Sequence, residues 1–260
     1  MFMLEPKQAT NCNYHNLTQL IHCLYSSSMQ EHTVTVSIGP KQTPFIVHAS
    51  LLKAQSVYFR KALEGNWIEA QKGEFELVEE NVQIFNLFLN WLYFGKLLVN
   101  KSASDTCTLL IEAYLFGERR ACAAFQNSVI NEFRQQCIDF KPFAGDDMLQ
   151  VAFAESGRNA RLSSFLADSI VWKNSIESLL QQCSLRPSTM CPEYVRAMYE
   201  ALLKKTNGTS LDPQSMSDDV FCNRYHIHEA ANSGKSDTKS NSGIIWKSSA
   251  MQNIPILPRQ

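Results

Sequence analysis

Three residues near the C-terminal end have the types and spacing of a zinc half-site: Cys222, His226 and His228. Thiolate and imidazole suit zinc, but a closed structural site needs four ligands. No cysteine or histidine follows His228. The segment therefore reads as an incomplete site, a short ordered remnant or plain tail, and no metal is assigned. Cys12, His15, His22 and Cys23 make a second cluster, which a solvated helix face explains better than metal binding or catalysis. Glu79-Glu80 and Asp146-Asp147 stand at predicted helix starts, where the helix dipole stabilises negative charge. That structural reading is preferred to a general acid–base pair. Arg119-Arg120 is a basic spot at a link between two predicted helices and reads as solvated. No Gly-rich phosphate loop, nucleophile elbow or His-Glu-x-x-His motif occurs. The expectation is a non-enzyme without a cofactor.

The whole-chain numbers agree. The 24 Lys+Arg and 25 Asp+Glu leave a formal charge of −1, whereas nucleic-acid binding needs a concentrated basic face. No nucleic-acid partner is expected, and a zinc-dependent nucleic-acid binder built on residues 222–228 ranks low. No apolar run reaches the roughly 18–20 residues of a membrane span; Ile84 to Phe94 comes nearest and reads as a buried helix. The first residues, MFMLEPKQATNCNYHN, lack the basic start and apolar stretch of a secretion signal. The eight cysteines are accordingly read as reduced thiols of an intracellular protein in the cytoplasm, the nucleus or both.

The elements that would position these residues follow from periodicity. Leu17, Leu20, Ile21 and Leu24 fall on one face of a short amphipathic helix. Val34–Ile38 alternates apolar and polar residues and stops at Gly39-Pro40, and Thr43–Val47 follows at hairpin distance. Ser50–Leu63 is helical with Ser56 in its middle, which suggests two short helices with Ser56 capping the second. Glu74–Val78 reads as a third strand. Asn81 can cap a helix from Val82 to Phe94, apolar on nearly every face and therefore central to a core, with Gly95 as its stop. A helix from Thr106 to Phe116, ended by Gly117, and another from about Ala121 to Cys137 must pack as an antiparallel pair. Further helices are expected at about 146–155, 161–173, 174–183 and 192–205. From Asn207 onward the composition turns polar, and GKSDTKSNSG at 234–243 predicts a flexible tail.

This order of elements resembles the BTB (POZ) domain across about residues 32–137. The motifs carrying the resemblance are Val47-His48-Ala49-Ser50-Leu51-Leu52, Ser56-Val57-Tyr58-Phe59-Arg60 and Trp91-Leu92-Tyr93-Phe94-Gly95-Lys96-Leu97. In size and trailing helices the chain is similar to small fungal members of the family. The implied architecture is α+β: a BTB-like helical cluster capped by a small three-stranded sheet at 32–137. A lead-in with the amphipathic helix precedes it at 1–31, an all-α extension follows at 138–206, and a flexible tail at 207–260. Three short strands cannot make a core alone, but they can cap a helical cluster. Thr33 stands where relatives usually carry an Asp, which leaves homodimerisation open.

The resemblance implies protein partners and no chemistry. Trp67 and Glu69, in the loop Glu64–Ala70, match a pattern with which relatives engage a cullin scaffold. An aromatic anchor beside a charged rim residue has the physical form of a binding hot spot. Tyr58 and Phe59 join them as candidate partner-binding residues, although core anchoring is the commoner role for such aromatics. The leading expectation is a partner-recruiting module serving as a substrate adaptor of a cullin ubiquitin ligase. The rival is a self-associating scaffold or transcription-linked regulator without a ligase.

Overall fold

The computed structural model describes residues 32–65, 71–99, 103–136, 152–153, 161–185 and 191–228. Readings that concern 1–31, Trp67, Glu69, Asp146-Asp147 and the helix at 146–155, apart from Ala152 and Phe153, lie outside the described residues. The chain divides after His228, and the second unit, 229–260, lies wholly outside them.

Thr33–Ile38 (β1) and Thr43–His48 (β2) form an antiparallel hairpin in which Ile38 pairs with Thr43 and Thr33 with His48. Gly39 and Gln42 turn the chain at positive φ, a region glycine enters without steric cost. Glu74–Leu77 (β3) adds parallel to the other side of β1, so the sheet order is β2-β1-β3. The period-2 pattern buries Val34, Val36, Ile38, Val47, Phe75 and Leu77 on one face.

That face lies over helices. Ala49–Gln55 (α1) and Val57–Glu64 (α2) are two short helices parted at Ser56, whose hydroxyl oxygen accepts from the Phe59 N–H at 3.1 Å. Val82–Phe94 (α3) starts where Asn81 Oδ1 accepts from the Gln83 N–H at 2.8 Å, and ends at Gly95 in the left-handed conformation. Its Ile84, Phe85, Leu87, Phe88, Trp91 and Leu92 are buried, each contributing about 1.5–3 kcal/mol of apolar burial. Phe94 is the departure from an all-round buried helix, being 70% exposed. Phe88 packs against Phe85, Trp91, Phe116 and Phe125, making α3 the centre of an aromatic core. Trp91 Nε1 donates to Ser128 Oγ at 2.8 Å, giving the buried indole its partner.

Ala103–Arg119 (α4) and Ala123–Gln136 (α5) form the expected pair. Gly117 does not end α4, as its sequence context suggested; the helix runs two residues past it. The glycine is there for close packing: a Cβ would meet Gln126 Cγ at 2.7 Å and Phe125 Cδ1 at 3.1 Å.

Beyond the sheet and its helices come Arg161–Lys173 (α6), Ile176–Leu185 (α7), Pro192–Thr206 (α8) and Asp218–Tyr225 (α9). The tail was expected to begin at 207, yet 207–228 is packed. Met216, Phe221 and Tyr225 are buried, with the Phe221 and Tyr225 rings against Phe165 of α6. A polar average hid these three anchors. Among the described residues no helix is long and apolar enough to cross a membrane.

Candidate protein-interaction surface

The α1–α2 corner is pinned from both sides. Besides capping α2, Ser56 donates its hydroxyl to the Arg120 carbonyl at 2.6 Å, and the Val57 N–H donates to the Ala121 carbonyl at 3.2 Å. Phe59 and Tyr58 then take different roles. Phe59 is fully buried, edge-on to Phe75. Offered above as a contact residue, it is a core anchor, because the helical rotation that exposes Tyr58 turns Phe59 inward. Tyr58 is 37% exposed. Its ring meets Phe59 edge-on at 5.1 Å, and the Arg120 guanidinium lies 4.6 Å from its centre, a cation–π geometry.

Arg120 is itself held. Its Nη2 donates to Glu80 Oε1 at 2.7 Å, while Arg119 donates to the same carboxylate through Nε at 3.1 Å and Nη2 at 2.8 Å. The Glu80 side chain is 4% exposed, Arg120 is 13% and Arg119 is 44%. Burial pushes the Glu80 carboxyl up, but the Arg119 hydrogen bonds and the Arg120 and Arg119 charges outweigh it and hold the carboxyl below its ordinary value. Two readings are thereby corrected. Arg119-Arg120 is not merely solvated, and Glu80 is a buried ion-pair partner rather than a helix-start carboxylate. The separation of 39 and 40 residues leaves no local signal of the pairing.

Tyr58, Arg120 and Arg119 thus form a partly exposed aromatic and charged patch tied to the buried Glu80 carboxylate, and Arg60, Lys61 and Glu64 of α2 are exposed as well. Trp67 and Glu69 lie outside the described residues, three and five positions after the end of α2. His48 stands at the corner between β2 and α1. Its Nδ1 lies 2.8 Å from the Tyr93 hydroxyl, which also accepts from the His48 backbone N–H at 3.2 Å, but the residue is exposed rather than buried.

The zinc half-site residues are spent otherwise. Cys222 is disulfide-bonded, whereas Cys107, Cys122 and Cys191 form no disulfide. That corrects the reading of every cysteine as a reduced thiol, since compartment arguments cannot tell which sulfurs the fold brings together. His228 Nε2 lies 3.2 Å from the Cys222 carbonyl and 3.6 Å from its sulfur. His226 is buried with Nε2 2.9 Å from Asn131 Oδ1, and burial, with the neighbouring His228 and Arg134, lowers its pKa to about 4. Among the described residues no cluster of three or more His, Cys, Asp or Glu is placed to hold a metal. This segment acts instead as a strap. Asn127 exchanges two hydrogen bonds with the Ile227 backbone at 2.7 and 2.9 Å. Arg134 donates to Asp218 at 2.8 Å and to the Met216 carbonyl. Asp168 Oδ2 accepts from Arg224 Nη2 and from the Tyr225 hydroxyl, each at 2.8 Å.

The described part of the chain is thus a small mixed sheet lidding a helical cluster around α3. The BTB/POZ domain family matches residues 24–131, and the chain carries a BTB/POZ domain there. Domains of this class are interaction modules. Among solved structures the chain is similar to the BTB (Tramtrack and Bric a brac) domain of human gigaxonin, at 16% identity and a TM-score of 0.35, over 50% of this chain and 99% of that one. No curated protein matches the chain.

Proposed function

We propose that the chain is a substrate adaptor of a cullin ubiquitin ligase inside the cell. Trp67, Glu69 and Tyr58 contact the scaffold, and the helices from Arg161 to Thr206 hold the target. Bridging would act by raising the target's local concentration at the ligase. The observation that supports this most is the setting of Tyr58. It is a half-exposed ring on a helix pinned by Ser56, braced beneath by Phe59 and across its face by Arg120. Hot spots are enriched in aromatic and arginine side chains on such ordered ground. In the sequence, Trp67 and Glu69 follow three and five positions after that helix ends at Glu64.

The test is capture of the full chain by an immobilised cullin N-terminal domain. The wild type is retained, and W67A/E69A is lost with a nearly unchanged melting temperature. Y58A weakens retention by about tenfold or more, the effect of removing one hot-spot side chain. Equal retention of W67A/E69A would remove the ligase role and leave a scaffold without one.

A further inference from the structure

Helix α8 carries two apolar faces, and the fold uses one of them. Met198 and Ala201 are buried, Tyr194, Ala197 and Leu202 are partly so, and this side packs along α6. Lys205 fastens the end of the helix, its Nζ donating to the Val171 carbonyl at 2.8 Å. The second face is open: Val195, Tyr199 and Leu203 are 51%, 61% and 42% exposed. They recur every fourth residue, so they stack as one stripe. At about 100° per residue its middle, Tyr199, falls roughly 130° round the helix from the buried Met198 and Ala201. A surface helix ordinarily needs only one such stripe. Along one flank of the open stripe stand Arg196 and Glu200, both exposed and one turn apart.

We propose that this stripe is a self-association surface, covered by the same helix of a second copy lying antiparallel across a two-fold axis. In that arrangement Tyr199 meets its own counterpart, and Val195 meets Leu203 of the other copy. An antiparallel pair brings like flanks together, so Arg196 falls beside Glu200 of the second copy and Glu200 beside its Arg196. The face is therefore self-complementary in shape and in charge, as an isologous contact requires. A parallel pair would set the Arg196–Glu200 flank against the flank carrying Leu202 and leave both charges unmatched. Three anchors a side fall short of a standard interface, so the pairing is weak, with dissociation on the order of micromolar or above.

Sedimentation velocity of the full chain over a concentration series tests this. The wild type shows a reversible monomer–dimer equilibrium, and Tyr199→Glu is monomeric at the same concentrations. Arg196→Glu and Glu200→Arg each weaken association about tenfold, because each sets like charges across the axis. Mixing these two variants restores a heterodimer with opposite charges at both contacts. Tyr199→Cys, mildly oxidised, gives a covalent dimer that the same substitution at Glu193 does not. A wild type monomeric throughout overturns the proposal. So does a dimer that survives Tyr199→Glu without charge-swap rescue, since it must form elsewhere.

Discussion

Replacing Glu80 by alanine removes the acceptor of three guanidinium hydrogen bonds that tie the β3–α3 turn to the α4–α5 corner. The two arginines respond differently. Arg119 is 44% exposed and can be rehydrated, so its pair is worth about 0.5–1 kcal/mol. Arg120 is 13% exposed and keeps a charge that water reaches poorly. Breaking a buried pair by removing one partner costs about 3–5 kcal/mol, and the rehydrated Arg119 places Glu80→Ala near the lower end. For a chain of this size that is roughly a 10 °C fall in Tm. Glu80→Gln keeps an acceptor and loses only the charge, so its cost is smaller, about 1–3 kcal/mol. The pH dependence has a definite sign. The folded carboxyl titrates below its ordinary value of 4.5, so the stability it contributes is complete above about pH 4.5 and is lost as the pH falls further. The gap between wild type and Glu80→Ala, read from urea melts at a series of pH values, therefore narrows below that point. A loss under about 1 kcal/mol at neutral pH, or a gap that widens on acidification, would refute the buried-triad reasoning.

Three further outcomes follow from particular contacts. His226 is buried and neutral, with a pKa lowered to about 4 from 6.5. The unfolded chain thus takes up the proton first, and stability falls between about pH 6.5 and 4 by on the order of 3 kcal/mol; His226→Gln should flatten that part of a pH–stability curve. Trp91→Phe empties part of the core and removes the donor to Ser128, which should cost about 2–3 kcal/mol in chemical denaturation, and an unchanged midpoint would contradict the central place of α3. Asp168→Ala strips Arg224 and Tyr225 of a shared acceptor, so limited proteolysis should cut within 211–228 much faster than in the wild type while residues 32–136 stay protected.

The hairpin, the break at Ser56, the caps at Asn81 and Gly95 and the helices expected at about 161–173 and 192–205 were legible because local chemistry decides them: alternation, a hydroxyl cap, a left-handed glycine, and 3.6-residue periodicity. The buried character of Val82–Phe94 followed from composition, while the class of the domain came from the resemblance carried by the element order and by the motifs at Val47–Leu52, Ser56–Arg60 and Trp91–Leu97. Phe59 and Tyr58 were legible as a pair but not as one inward and one outward ring, since that depends on how α2 is turned against β3. Other features were fixed by tertiary structure alone. The parallel docking of β3 on β1, Glu80 between two arginines some 40 residues away, and the anchoring of 207–228 through Met216, Phe221 and Tyr225 are decided by which distant groups meet. Gly117 makes the same point: in sequence it reads as a helix stop, and only the approach of α5 shows that the helix continues there because a side chain would not fit. Periodicity and capping act over a few residues, whereas charge pairing and close packing act over a few ångströms, and only the folded chain turns one distance into the other.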